Sequence, residues 1–263
     1  MTAADEETAL LGLAPVAPDR TVAYGPHPDQ IVDLYGTWAA PGAGAAVPGP
    51  PVVLLHGGFW RAAYDRRHLS PLAAALAGRG LPVALAEYRR VGAGGGAPQT
   101  FDDVAAAIGA AATAAAGGQR AAGGVVLVGH SAGGHLALLA AARPGTPVAR
   151  VVAVSPVADL ARAHELGLSD GAVAALLGGG PGFADRLAAA DPARRPPAGV
   201  PVTILHGTDD PDVPIGLSRR YAAGCPATTE LRELPGVGHY APVTPGTASC
   251  DALCALLRPP GST

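Results

Sequence analysis

The length and composition of the chain favour one globular domain and argue against nucleic acid as a partner. With 263 residues and neither a long linker nor a break in composition, the sequence predicts a single domain over residues 1–263. Charged residues make up only 15% of the chain and the formal net charge is -3, so no broad basic surface is available for a phosphate backbone.

The N-terminal 20 residues are acidic, and they have neither the basic start nor the continuous apolar segment of a signal peptide. The longest apolar stretches are rich in Ala and interrupted by Gly or Thr, which suits packed helices better than bilayer spans. Three cysteines, Cys225, Cys250 and Cys254, show no metal-binding spacing with histidine, and an odd number fits reduced thiols. We therefore expect a cytoplasmic protein with no membrane partner and no metal.

Short apolar runs rich in β-branched residues alternate along the chain with longer segments rich in Ala and Leu. The alternation predicts an α/β fold with a mostly parallel central sheet and helices on both faces, because parallel strands covered on both sides are apolar throughout. Strands are predicted at residues 52–56, 82–88, 124–130, 150–156 and 201–207. Helices are predicted at residues 69–78, 100–116, 133–142, 218–223 and 248–257.

Two regions interrupt this alternation. Residues 36–51 are rich in Pro, Gly and Ala, which predicts a flexible, hairpin-like connection before the strand at residue 52. Residues 157–197 separate two predicted strands by more than a simple crossover requires, and they contain helix-like pieces. We interpret residues 157–197 as a small helical cap over a functional site.

A G-x-S-x-G motif spans residues 129–133, between a predicted strand and an Ala/Leu-rich helix. That context is the one in which a strained strand-to-helix turn exposes a serine hydroxyl. The motif arises often by chance in a chain with 37 glycines, but the flanking strand and helix favour Ser131 as a nucleophile.

A serine hydroxyl becomes reactive when a base accepts its proton and a carboxylate orients that base. His239 lies downstream in a Gly-rich stretch, "GVGHY", which predicts a loop histidine that acts as the base. Three carboxylates, Asp209, Asp210 and Asp212, follow the predicted strand that ends at residue 207. By chemistry alone, each of the three could orient the histidine.

The stretch "HGTDDPDVP", residues 206–214, resembles a motif of the α/β-hydrolases, and the alignment of its glycine and proline implies that Asp210 is the orienting acid. The same resemblance gives a role to "HGGFW", residues 56–60. In α/β-hydrolases, backbone N–H groups of such a loop and of the residue after the nucleophile form an oxyanion hole. Ala132 and either Gly58 or Phe59 would donate here. A phosphate-binding loop is excluded because no G-K-[ST] follows the glycines.

Together with "GHSAGGHLA", "GVGHY" and the N-terminal "YGPHPDQIVDLY", these motifs resemble the branch of α/β-hydrolases that holds kynurenine formamidases (arylformamidases) and small carboxylesterases. The likeness covers residues 24–240. It implies a serine hydrolase without a cofactor, which cleaves a small ester or an N-formyl amide, N-formylkynurenine among them, through an acyl-enzyme. Aromatic residues are few, and the candidates for substrate binding are Phe59, Trp60, Tyr64, Phe183 and Tyr240.

Other functions fit the same motifs. A biosynthetic acyl hydrolase, thioesterase or cyclase would use the same three residues, and a peptidase of the prolyl-oligopeptidase type has a similar hydrolase domain. A non-catalytic binding module of this fold is disfavoured, because it has no need of a Ser, an Asp and a His in this order. The predicted partner is a small-molecule ester or amide, and the sequence leaves a homodimer open.

Overall fold

An eight-stranded sheet forms the centre of the computed structural model, which describes residues 3–38, 49–116 and 124–257. The order across the sheet is β1-β2-β4-β3-β5-β6-β7-β8. β2 is antiparallel to both neighbours, and every other adjacent pair is parallel. The strands are β1 Arg20–Ala23, β2 Ile31–Tyr35, β3 Val52–Leu55, β4 Val83–Ala86, β5 Val125–His130, β6 Val148–Val154, β7 Val202–Gly207 and β8 Thr229–Leu234.

Helices cover both faces of this sheet, as the apolar runs predict. In β3, Val53 and Leu55 belong to one hydrophobic core, whereas Val52 and Leu54 belong to the other, because successive side chains of a strand point to opposite faces. The helices are α1 Ala3–Leu11, α2 Ser70–Ala77, α3 Gln99–Ala115, α4 Ala132–Ala141, α5 Leu160–Glu165, α6 Leu168–Leu177, α7 Phe183–Ala190, α8 Gly216–Gly224 and α9 Ala248–Leu257.

The two cores divide the helices between the faces. The core on one face takes buried side chains from α3, α4, α8 and the segment between β6 and β7, and the core on the other face takes them from α1, α2 and α9. The three cysteines are buried, and none of them forms a disulfide within the described residues. Within the described ranges, no helix combines the length and apolarity that a bilayer crossing requires.

Three strands and one helix lack a sequence prediction, for different physical reasons. β8 carries charged residues along its length and has no fully buried position, so no apolar run marks it. β2 contains Asp33, a buried carboxylate whose Oδ2 accepts a hydrogen bond of 2.6 Å from Arg66 Nε. β1 is short and at the edge of the sheet, and α1 lies in a stretch that the sequence analysis leaves unassigned.

The two interrupting regions differ in what the structure describes. Of the predicted connection at residues 36–51, residues 39–48 lie outside the described residues. The segment at residues 157–197 contains α5, α6 and α7, and Leu168 and Ser169 of α6 line the cavity at Ser131. A helical segment therefore borders the cavity in which the sequence predicts catalysis.

Candidate active site

Ser131 lies at the sharp turn between β5 and α4. Its φ of 57° and ψ of -118° are strained for a residue with a side chain, and such backbone strain concentrates at functional sites. The flanking glycines are sterically required: a Cβ on Gly129 would lie 2.2 Å from Gly133 O, and one on Gly133 would lie 2.2 Å from Leu55 O. The local sequence therefore forms the turn that the G-x-S-x-G motif predicts.

His239 follows β8 in a loop of residues 235–240, which we call the His239 loop, and it lines the same cavity as Ser131. Its Nδ1 donates a hydrogen bond of 2.6 Å to Asp210 Oδ2. Asp209 is exposed at the neighbouring position, and its side chain accepts a bond from Thr208 instead. The structure thus pairs His239 with Asp210, the carboxylate that the resemblance implies.

The Asp210 carboxylate is surrounded by donors. Oδ1 accepts the N–H groups of Asp212 at 2.9 Å and of Val213 at 2.8 Å. Burial on its own would raise the pKa of Asp210, but the hydrogen bonds from His206 and His239 outweigh burial and hold this pKa well below its usual value. The surroundings of Asp210 therefore favour the ionised carboxylate.

His206, the penultimate residue of β7, is a second histidine that contacts this carboxylate. Its Nε2 lies 2.9 Å from Val213 O and 3.2 Å from Asp210 Oδ2, which are both acceptors, so Nε2 carries the proton. Nδ1 then accepts from Ser218 Oγ at 2.7 Å. The position of His206 directly before the glycine of "HGTDD" is the one sequence signal that could have indicated this contact.

Three histidines line the cavity, and they differ in their partners. His239 has a carboxylate partner, whereas His130 and His68 each bond a backbone carbonyl, at 3.0 Å and 2.6 Å. Burial lowers the pKa of His68 to about 4, and burial together with the neighbouring His239 holds the pKa of His130 well below its usual value. Of the three, His239 is the one with a carboxylate that orients the ring and can stabilise a positive charge on it.

The loop of residues 56–60, the HGGFW loop, packs directly against the nucleophile. A Cβ on Gly57 would lie 2.9 Å from Ser131 Cβ, so this glycine allows the approach of the two loops. Gly58, Phe59 and Trp60 then have φ values of 99°, 47° and 59°, three consecutive left-handed residues. Such a turn aims successive N–H groups toward one side.

The N–H groups of Gly58 and Phe59 donate to no acceptor within the described residues. Ala132 is the first residue of α4, and an N–H at that position has no acceptor inside the helix. Gly58, Phe59 and Ser131 line one cavity, and Ala132 follows Ser131 directly. The two segments together therefore offer unpaired backbone donors beside the serine, as an oxyanion hole requires.

A buried ionic network lies beneath the HGGFW loop. His56 Nε2 donates to Glu87 Oε1 at 2.8 Å, and Glu87 also contacts Arg90 Nη1 at 3.3 Å and accepts the Arg66 N–H at 3.0 Å. Burial works against the ionised form, but His56 and Arg90 prevail and lower the pKa of Glu87 to about 2. His56 thus supports the loop, and Tyr88 stacks on its ring.

The cavity at Ser131 has a volume of about 370 Å³. Among the predicted substrate-binding residues, Phe59, Tyr64 and Tyr240 line it. Its charged and titratable lining includes Glu7, Arg61 and Asp212 in addition to the histidines, and its apolar lining comes from Leu11, Leu168 and Pro211.

Two predicted substrate residues do not line this cavity. Trp60 is only 1% exposed, and its ring packs edge-on against His135 at 5.1 Å inside the core. Phe183 begins α7 and packs against His164 at 4.8 Å. The left-handed turn at Trp60 directs its side chain into the core, and Phe183 packs within the helical segment, so the structure places neither ring in the lining of the cavity at Ser131.

Asp210, Asp212 and His239 could each offer a ligand atom to a metal ion, and these atoms lie within 4.8 Å of one another. Both oxygens of Asp210 and the Nδ1 of His239 already take part in hydrogen bonds. The donors around Asp210 therefore suit an orienting carboxylate, and the arrangement serves proton transfer better than ligation.

A family match covers most of the chain. Residues 41–223, more than half of the chain, match the profile of the family described as BD-FAE. The chain belongs to the BD-FAE family. No curated protein sequence matches this BD-FAE member significantly.

Solved structures similar to this BD-FAE protein include several esterases. A tributyrin phosphonate-inhibited esterase B from Lactobacillus rhamnosis has a TM-score of 0.75 at 21% identity, covering 97% of this chain and 89% of that one. A truncated carbohydrate esterase from gut microbiota has a TM-score of 0.74 at 19% identity, with coverages of 93% and 98%. Esterase 2 from Thermogutta terrifontis, phosphonylated by sarin, has a TM-score of 0.69 at 23% identity, with coverages of 92% and 94%.

At these identities the likeness concerns the fold. It confirms the predicted α/β-hydrolase fold for this BD-FAE chain, with its mostly parallel sheet and helices on both faces. The reaction has to be argued from the site itself.

Proposed function

We propose that this protein is a serine hydrolase that cleaves small carboxylic esters through an acyl-enzyme. The observation that carries the proposal is the convergence at one cavity of a strained serine, a histidine paired with a buried carboxylate, and unpaired backbone N–H groups. The family match and the esterases among the similar folds support the same reaction.

The proposed reaction begins when Ser131 Oγ attacks the ester carbonyl and His239 Nε2 accepts the serine proton. Asp210 fixes the ring through Nδ1 and stabilises the imidazolium that forms, without itself taking the proton. Since the carboxylate also holds bonds from two backbone N–H groups, it cannot turn away from His239 without breaking them.

Negative charge develops on the carbonyl oxygen as the tetrahedral intermediate forms. The N–H of Ala132, at the N-terminus of α4, and the N–H of Gly58 or Phe59 would donate to this oxygen. Removal of one such donor typically costs about 2.7–4 kcal/mol in the transition state. His239 then protonates the departing alkoxide, and water repeats the sequence to release the acid and restore Ser131.

An N-formyl arylamide is the second candidate substrate. Three aromatic side chains, Phe59, Tyr64 and Tyr240, line the cavity and could contact an aryl leaving group. An amide nitrogen needs the proton from His239 before it leaves, so the same residues would serve both substrates. A comparison of kcat/KM for N-formylkynurenine and for p-nitrophenyl acetate decides between the two substrate classes. A strong preference for the ester would rule out the N-formyl arylamide as the substrate.

The test of the proposed function is hydrolysis of p-nitrophenyl acetate by the wild type, Ser131→Ala and Ser155→Ala. Ser155 is a matched control, because it also follows a strand with a positive φ and is also buried. We expect Ser131→Ala to lose about 10⁴-fold or more in kcat. Ser155→Ala should retain wild-type turnover, and full activity of Ser131→Ala would refute the mechanism.

A further inference from the structure

The N-terminal helix α1 lies against the His239 loop through a buried carboxylate, Glu6. Glu6 is only 3% exposed. Both of its carboxylate oxygens accept hydrogen bonds from backbone N–H groups. Oε1 accepts from Gly238 at 2.9 Å, and Oε2 accepts from Ala241 at 3.0 Å and from Tyr240 at 3.2 Å. One carboxylate therefore holds the backbone on both sides of His239.

His130 holds the same backbone from the other direction. Its Nε2 donates a bond of 3.0 Å to the carbonyl oxygen of His239. Glu6 accepts hydrogen bonds from the N–H groups on either side of His239, and His130 donates one to the His239 carbonyl. The main chain around His239 is therefore held by hydrogen bonds from two directions. Bonds to a charged carboxylate are about twice as strong as bonds between neutral groups.

The same helix contributes to the wall of the cavity. Leu10 is buried in the core between α1, α2 and α9 and anchors the helix. Glu7 and Leu11, on the neighbouring positions, line the cavity that contains Ser131. α1 thus contacts the His239 loop through Glu6, and its residues Glu7 and Leu11 line the cavity at Ser131.

We propose that Glu6 is a positioning residue for the general base, and that α1 is a wall of the active site. The inference rests on the proposed esterase function. A general base must lie within hydrogen-bond reach of the proton that it takes, and a displacement of 1 Å can cost about 10²-fold in rate. His239 projects from a Gly-rich loop, so its position depends on contacts to the backbone, and Glu6 supplies three of them.

The experiment compares Glu6→Ala, Glu6→Gln and the control Thr8→Ala on the full chain. Thr8 is exposed on the same helix. Glu6→Ala leaves three N–H groups without their acceptor and lowers stability as well. Glu6→Gln is therefore the second variant, because it keeps the side-chain length and one acceptor oxygen.

Each variant is first titrated with a fluorophosphonate, so that kcat refers to folded, reactive enzyme only. The readouts are kcat and KM for p-nitrophenyl acetate, the rate of fluorophosphonate labelling, and the low-field proton signal of the bond between His239 and Asp210. We expect Glu6→Ala to lose about 10- to 100-fold in kcat and in labelling rate, with little change in KM and a broadened proton signal. Glu6→Gln should lose less, and Thr8→Ala should match the wild type.

A merely structural role for Glu6 gives a different result. The melting temperature would fall, but the titrated enzyme would keep wild-type kcat, labelling rate and proton signal, and the assignment of Glu6 would be wrong. If the wild type is neither labelled nor able to hydrolyse the ester, the proposed function is wrong, and the assignment falls with it because there is no base to position. If the wild type is labelled and the Glu6 variants keep its kcat and labelling rate, the assignment of Glu6 is wrong, but the proposed function stands.

Discussion

The two loops beside Ser131 are held in opposite ways. The HGGFW loop is anchored through side chains, His56 on Glu87 and Trp60 on His135, and the N–H groups of its glycine–phenylalanine pair stay unpaired within the described chain. The His239 loop is anchored through its backbone, which leaves the imidazole to face Asp210 and the cavity. A loop that offers its backbone to substrate is thus fixed by side chains, and a loop that offers a side chain is fixed by its backbone.

The largest effect is expected at the carboxylate that orients His239. Asp210→Asn preserves the shape and an acceptor for the N–H groups of Asp212 and Val213, but an amide does not hold the histidine in the required tautomer. We expect kcat for p-nitrophenyl acetate to fall about 10⁴-fold with an unchanged fold, as checked by circular dichroism.

Asp209→Asn is the matched control for this variant, since Asp209 is the adjacent residue and is exposed. It should retain near wild-type kcat. A loss at Asp209 as large as the loss at Asp210 would mean that the acid is assigned wrongly.

A change beneath the HGGFW loop should act on stability first. Glu87→Gln leaves Arg66 and Arg90 close to a neutral amide in a buried site, and the loss of one partner of a buried ion pair typically costs about 3–5 kcal/mol. We expect that decrease in the free energy of unfolding in urea at pH 7, together with lower kcat. Glu165→Gln, in an exposed pair with Arg162, should change stability by about 1 kcal/mol or less.

The same carboxylate predicts a dependence of stability on pH. The pKa of Glu87 is lowered to about 2 in the folded protein, from an ordinary value of about 4.3. A group with a lowered pKa stabilises the fold above its unfolded pKa, and this contribution is lost as pH falls from about 4.3 to about 2. Urea titrations between these two pH values should show that the free energy of unfolding falls less steeply with decreasing pH in Glu87→Gln than in the wild type. The same dependence on pH in both proteins would contradict this role of Glu87.

The smallest effects should separate the two aromatic residues around the HGGFW loop. Trp60 is buried, so Trp60→Phe should lower the free energy of unfolding by about 1–3 kcal/mol and leave the ratio of kcat/KM between short and long acyl esters unchanged. Tyr64 lines the cavity and is 44% exposed, so Tyr64→Ala should change that ratio several-fold and affect stability little. The reverse pattern would restore Trp60 as a substrate residue.

The sequence predicts the parts of the molecule that local patterns encode. Buried parallel strands are continuous apolar runs, and the strained turn at Ser131 needs glycines at fixed positions, so both are visible in short stretches. β8 is not visible, because a strand at the edge of the sheet can carry charges along its length.

The supports of the site were not predictable in the same way. Glu6 contacts the His239 loop from 232 residues away, and nothing in its neighbourhood distinguishes it from the adjacent acids Asp5 and Glu7. The position of His206 directly before the glycine of "HGTDD" is visible in the sequence. Its contact with Asp210, however, depends on how β7 and the following turn place both side chains. Sequence patterns therefore indicate the groups that would react, whereas folding brings together the groups that position them.

Covalent labelling tests the central claim most directly. Intact-mass measurement after treatment with a fluorophosphonate should show the addition of one probe per chain, and peptide mapping should place it on Ser131. Ser131→Ala should stay unlabelled, and wild-type labelling should slow strongly in Asp210→Asn. A folded wild type that hydrolyses the ester but carries no probe on Ser131, or carries it elsewhere, would contradict the account.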